Sequence, residues 1–362
     1  MSIDSEPSRR PLDDDVVPLP TVFRLQARAC RDLGSPLSAL LMDHLADDLD
    51  RSGPSAAAFA RWPAARFGDL VGLRVLATAH RLVLERLAPE LAIHYPSVGG
   101  VAPRPGHATA AGAAFVEVLG AHPDALARGM SEVPQTNETG RVVPLRHVLA
   151  GVGSTPPLRL RELGASAGLN LLADRLNPAG DDLELPYVKS RRGCDLRPVD
   201  ITTTDGRLRL TSYVWPDDEA RLERLRLAFG AAEGGTPQVV TQDAGQFVRG
   251  MRLEPASALV IWHSAMWFYL NRESRASILE SISGLGAQAA ADSPVVHAFW
   301  EYRGGDPMAR VGTFALVVRR WSGRADDGVP MLWGVGPSHG MPFQRLDPVP
   351  LGENPLADSA TD

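Results

Sequence analysis

Leu158-Arg159-Leu160-Arg161-Glu162-Leu163-Gly164-Ala165-Ser166-Ala167-Gly168-Leu169-Asn170 decides how the fold is read. The first six residues form a short run with leucines spaced for a buried strand, and the five that follow are small enough for a tight turn. A helix is expected to start after Gly168. In an open α/β sheet such a turn lies where a nucleotide-like ligand binds: glycines let the ligand approach the backbone, and a helix N-terminus offers free N–H groups.

Moving outward, the chain changes texture at Thr155-Pro156-Pro157. Beyond it, apolar runs at Val239-Val240, Ala258 to Trp262, Val295 to Trp300, Phe314 to Val318 and Met331 to Val335 alternate with helical stretches, the pattern of βαβ units on a parallel sheet. Asp217-Asp218-Glu219 opens one such helix, with Leu222, Leu225 and Phe229 on its apolar stripe. Before the change, from Val22 to about Ala150, the spacing is helical and no strand is expected. Ser35-Pro36 reads as an N-cap and first helical position, followed by Leu37, Leu40, Leu41, His44, Leu45 and Asp48 at helix spacing. A second helix is expected near Phe67, with Leu70, Leu73, Ala77, His80 and Leu84 on one stripe and His80 as a core histidine. The expected organisation is a tail over 1–20, a helical cap domain over 21–155, a sheet domain over 156–347 and a second tail over 348–362. Both tails, rich in Pro, Asp and Ser, are expected to lack fixed structure.

The chain has 362 residues, 44% of them hydrophobic and 22% charged, and no run of about 18 apolar residues that would span a bilayer. Its 37 basic and 43 acidic residues leave a net charge of −6, which disfavours nucleic acid as a main partner. Lys189 is the only lysine, so arginine carries nearly all the positive charge. Cys30 and Cys194 form no CxxC, and the early acidic N-terminus is the wrong order for a secretory signal, so a cytoplasmic location is expected. The nine histidines show no H-x-x-x-H spacing, and no metal site is expected.

Glu162-x-Gly164-x-x-x-Gly168 resembles motif I of class I S-adenosylmethionine-dependent methyltransferases, and further segments follow in that family's order. Arg192-Gly193-Cys194-Asp195-Leu196-Arg197-Pro198 looks like the second strand, whose terminal acid accepts hydrogen bonds from both ribose hydroxyls; Asp195 takes that place, with Asp200 in reserve. The gap from Gly168 to Asp195 is longer than usual, which an insertion around Asn177 to Pro186 would explain. Val239 to Ala244 resembles the third strand, with Asp243 and Ala244 beside the adenine. Ala258 to Leu270 resembles the fourth strand and its loop, with Asn271 opening the next helix.

The resemblance implies a Rossmann-like, mostly parallel sheet of seven strands, the last two antiparallel, with an N-terminal helical domain. It also implies S-adenosylmethionine as cofactor, held by Glu162, Gly164, Ala165, Ser166, Gly168, Asn170, Asp195, Asp243 and Ala244. A small-molecule acceptor is expected to meet Gln135, Asn137, Trp267 and Tyr269, with His263 and Glu138 as candidate bases. The string Gln135-Thr136-Asn137-Glu138 is also consistent with an ordinary helix N-cap in a loop.

Over about Phe23 to Pro342 the chain also resembles an uncharacterised bacterial family, the DUF2332 proteins. The resemblance rests on His94-Tyr95-Pro96-Ser97, Val133 to Glu138, Gly164 to Asn170, Arg192 to Asp195, Ser212 to Pro216 and His263-Ser264. It carries no activity.

Gly164-Ala165-Ser166-Ala167-Gly168 also matches G-x-S-x-G, the nucleophile elbow of α/β-hydrolases, with Asp306 and His339 following in hydrolase order. That serine-esterase reading leaves Glu162, Asp195 and Asp243 without roles, and it needs several strands before the elbow. A non-catalytic sensor that keeps the ligand pocket is the other alternative.

Overall fold

The computed structural model describes residues 16–104, 108–153, 156–303, 314–352 and 356. The described residues contain twelve α-helices and ten strands, and the chain divides into two units: 1–135 with 208–222, and 136–207 with 223–362.

The first unit holds α1 (Leu19–Asp32), α2 (Pro36–Asp50), α3 (Ala56–Phe59), α4 (Val71–Leu84), α5 (Pro89–Ala92), α6 (Ala108–Ala121) and α7 (Pro123–Ser131). A two-residue antiparallel pair, β1 (Val17–Pro18) with β2 (Ala64–Ala65), corrects the expectation of no strand here. Structure also starts before the expected end of the first tail, because α1 begins at Leu19. The α4 stripe agrees with the expected one at Ala77 and His80, which are buried, and departs from it elsewhere: Val71, Val75, Leu76, Ala79, Leu82 and Val83 are buried, whereas Leu73 and Leu84 are only partly so.

The unit's core joins Phe23, Leu41, Leu45, Val75, Tyr95 and Phe115 to Trp215 from the returning segment. That segment also supplies the cap of α2. The Ser35 hydroxyl donates to Asp217 at 2.5 Å, and the other Asp217 oxygen accepts the Leu37 N–H at 2.8 Å. His80 is a core histidine, its ring nitrogens bonded to the Val214 carbonyl and the Ser97 hydroxyl. Burial lowers its pKa to about 4, so the ring is neutral.

The second unit is built on an eight-stranded sheet, one strand more than expected. Its strands are β3 (Leu158–Leu163), β4 (Val188–Asp195), β5 (Gln238–Thr241), β6 (Ala258–Ser264), β7 (Val295–Tyr302), β8 (Phe314–Trp321), β9 (Met331–Gly336) and β10 (Gln344–Pro350), in the order β10-β9-β8-β7-β6-β3-β4-β5. Strands β3 to β7 pair in parallel, and β8, β9 and β10 add an antiparallel meander of three strands in place of the expected single pair. β10 extends into the stretch expected to be a tail.

The chain crosses between parallel strands through α9 (Thr204–Ser212) and α10 (Glu219–Glu233), then α11 (Ala244–Arg249), then α12 (Arg272–Gly286); α8 (Val142–Val152) precedes the sheet. Leu163, Leu259, Ile261, Val295 and Phe299 share a buried core with Phe247, Val248, Ile278 and Ile282 from α11 and α12. Strand alternation sends Glu162, Trp262 and Ser264 to the opposite face.

One crossover departs from the expected pattern. Gly168 takes a left-handed φ of 78°, and only a 3₁₀ turn, Leu169–Leu172, follows it where an α-helix was expected. The long connection to β4 is pinned from α8. Buried Arg146 pairs with Asp181 at 2.5 Å and donates to the carbonyls of Ala173 and Leu176.

Candidate functional site

The parallel strands run in the order β5-β4-β3-β6-β7, so successive connections leave β3 and β6 in opposite directions across the sheet. This is a topological switch point, and ligands of open α/β sheets bind outside the carboxyl ends of the strands there. At those ends lie the turn 164–168 after β3, Asp195 closing β4 and Ser264 closing β6.

The turn is tied down by side chains from two places. Asn137 Oδ1 accepts the N–H of Ala167 at 3.1 Å and of Leu169 at 3.2 Å, while Asp195 Oδ2 accepts the N–H of Ser166 at 2.8 Å. The Ala165 N–H goes to the Cys194 carbonyl and the Gly168 N–H to the Ala165 carbonyl. Every amide from 165 to 169 is therefore spent within the protein. Asn137 (φ 33°) and Ser166 (φ 53°) are themselves left-handed, conformations that asparagine tolerates better than most residues.

Glu162, the last but one residue of β3, is a buried carboxyl, 2% exposed. Its Oε1 accepts from Asn170 Nδ2 at 3.2 Å, and its Oε2 has no partner among the described residues. Desolvation raises its pKa to about 8, against the lowering effects of Asn170 and the Arg141 charge.

The other expected residues separate into distinct settings. Asp243 caps α11, accepting the Gln246 N–H at 3.1 Å, and Ala244 is buried at the first position of that helix. Asp200, the reserve, is exposed and closes a local turn with the Thr202 N–H and hydroxyl. Glu138 is buried, accepts the Gly140 N–H at 3.0 Å and lies 3.9 Å from Arg224. Gln135 is buried at the end of the first unit.

His263 is not placed as a base. Its side chain lies on the face packed by α11 and α12 and is fully buried, stacked between Trp267 at 5.0 Å and Phe299 at 5.3 Å. Its Nδ1 meets Glu301 at 2.7 Å and its Nε2 meets His297 at 3.1 Å. Both ring nitrogens are occupied. Trp267 is likewise buried and donates its indole N–H to the Leu356 carbonyl, whereas Tyr269 is exposed beside Phe268.

Sequence reasoning missed His297, Glu301 and Arg141. Glu301 also accepts the Met266 and Trp267 N–H groups, so it fixes the loop after β6. Met266 in turn packs on Gly164, where an added Cβ would come within 3.1 Å of it. Arg141 donates to the Ser338 carbonyl at 2.9 Å and the Ser264 carbonyl at 3.5 Å. No periodic signal marks these residues, because their partners are distant in sequence.

The hydrolase elbow needs a helix after its serine and strands before it. Ser166 is followed only by the 3₁₀ turn, and β3 is the first strand of the large sheet in chain order. Asp306 lies outside the described residues, as does Thr155 of the expected domain break. Among the described residues, no group of three or more His, Cys, Asp or Glu is arranged to hold a metal ion, and no helix is long and apolar enough to cross a membrane.

The second unit thus defines a mixed α/β protein with a large, mostly parallel sheet and a closed, side-chain-clamped turn at its switch point. The chain belongs to the DUF2332 family, described as an uncharacterised protein conserved in bacteria, whose profile matches residues 21–184 and 176–345. No curated protein matches it.

Proposed function

We propose that this chain binds S-adenosylmethionine at the carboxyl ends of β3 and β4 and directs its methyl group to a small-molecule acceptor. The observation that carries this reading is the spent turn. A phosphate-cradling loop offers free amides to oxyanions, but the N–H groups of 165 to 169 are already taken. A nucleoside ligand without phosphates asks only for close backbone approach and an acceptor for its ribose.

Asp195 fits that acceptor role. It ends the strand beside β3, and the Ser166 and Arg197 N–H groups fix its direction. A carboxylate offers about four lone-pair sites, so one acid can serve several donors at once. Glu162, whose Oε2 has no partner among the described residues, would meet a ligand ammonium group, whose charge would displace the proton that burial favours on the free protein.

When bound, S-adenosylmethionine supplies an electrophilic methyl carbon. The chain's part is placement: Asp195 and the turn hold the nucleoside, and the Glu301-fixed loop sets the wall formed by Met266. Glu138 is held as a local cap, so the reading assigns no general base.

Calorimetric titration with S-adenosylmethionine, followed by incubation of the labelled compound with a metabolite extract, tests the proposal. Binding together with release of S-adenosylhomocysteine is the expected result. Binding without turnover supports a sensor, and no binding removes the reading.

A further inference from the structure

The long connection between the turn and β4 does more than replace a helix. With the start of β4 it borders an open surface cleft of about 530 Å³, lined among others by Asp174, Arg175, Tyr187, Lys189 and Arg191. That volume is within the range of small-molecule sites, roughly 300–1,000 Å³. It opens beside Val188, the first residue of β4, while Asp195 is the last. Eight residues of strand separate the two places by roughly 20 Å, so this is not the edge discussed above.

The cleft is cationic in a chain of net charge −6. Arg191 is paired with Asp174 at 2.5 Å, and Lys189 with Glu254 at 3.2 Å. Arg175 has no carboxylate partner among the described residues, only the Ala231 carbonyl at 3.5 Å. Glu254 is shared, because Arg159 also holds it at 3.1 Å.

The Tyr187 ring, 73% exposed, adds a flat apolar surface at the same mouth.

We infer that this cleft binds an aromatic oxyanion, a ring bearing a phosphate group, with Arg175 and Lys189 taking the charge and Tyr187 the ring. Guanidinium and ammonium groups suit phosphate oxygens, and a tyrosine face suits a planar ring.

Phenyl phosphate and inorganic phosphate are the probes, titrated calorimetrically into the full chain at fixed ionic strength. One site per chain is expected for phenyl phosphate, with weaker binding of inorganic phosphate. The double variant Arg175→Ala/Lys189→Gln should lose at least tenfold in affinity for phenyl phosphate. Tyr187→Ala should bring phenyl phosphate down to the level of inorganic phosphate. All three side chains are exposed, and circular dichroism checks that the variants fold. S-adenosylmethionine binding should be unchanged in the double variant, which separates this site from the switch-point reading. No phenyl phosphate binding, equal binding of both probes, or an unaltered double variant would overturn the inference.

Discussion

Asn170 donates its side-chain N–H to Glu162 Oε1 at 3.2 Å, and neither Glu162 Oε2 nor Asn170 Oδ1 has a partner among the described residues. A proton on Glu162 Oε2 would let the two unmatched acceptors share one donor, and burial favours that proton by raising the Glu162 pKa from 4.5 to about 8.

The sign of the pH dependence follows. Between about 4.5 and 8 the folded state holds a proton that the unfolded state has released, so Glu162 makes stability fall as pH rises through that window. Glu162→Gln mimics the protonated acid and removes this component. At pH 8 the variant should exceed the wild type by about 1–3 kcal/mol, and below pH 4.5 the two should converge. Urea denaturation at several pH values measures it; equal slopes for both proteins would show that Glu162 is ionised throughout.

Asn137→Ala removes the acceptor of two buried amide groups and places alanine at a left-handed φ of 33°. The loss should reach about 2–5 kcal/mol in chemical denaturation. Asn137→Asp keeps an acceptor and should lose clearly less.

At the proposed nucleoside site, Asp195→Asn keeps an acceptor for the Ser166 or Arg197 N–H but gives up the charge. Affinity for S-adenosylmethionine should fall roughly 10-fold or more, from charge-assisted bonds of about 1.5–3 kcal/mol. Ser166→Ala should matter far less. If instead Ser166 is labelled by a serine-directed phosphonate, and its substitution rather than that of Asp195 removes activity, the esterase reading replaces this one.

Glu301 accepts from His263, from the Met266 N–H and from the Trp267 N–H in a buried setting. Burial, followed by the influence of His263 and Arg319, holds the His297 pKa well below its usual value, so His297 is neutral. Nitrogen-15 spectra should show a neutral His297 ring, unchanged from pH 6 to 8. Glu301→Ala, which strands three donors, should cost about 3 kcal/mol or more.

The parallel sheet was legible because β6 and β7 are nearly continuous apolar runs; β3, Leu158–Leu163, is read to the residue although it carries Arg159, Arg161 and Glu162. β4 was read four residues late, since its outer half, Lys189 to Arg192, is polar. Gly168 followed by Leu-Asn-Leu-Leu has the composition of a helix start, yet three of the four residues after Gly168 are leucines with no polar face to turn outward, and all four are buried. At the candidate site, Glu162 and Asp195 could be found from strand ends. Asn137 could not be given its role, because the amides that it serves lie 30 and 32 residues further along. The surroundings of His263 were hidden for a related reason: the strand period assigns a face, but it does not say which face the helices cover.

β10 carries Pro348 and Pro350 and is bent by a register shift between Arg345 and Val349, while β5 at the other side of the sheet is only four residues long. A second molecule seeking to continue the ladder would meet missing donors on one margin and too short a template on the other. A wide sheet of this kind would otherwise invite end-to-end polymerisation when the chain is crowded. Its two borders weaken that invitation: the prolines withhold ladder donors on one side, and the short β5 offers few on the other.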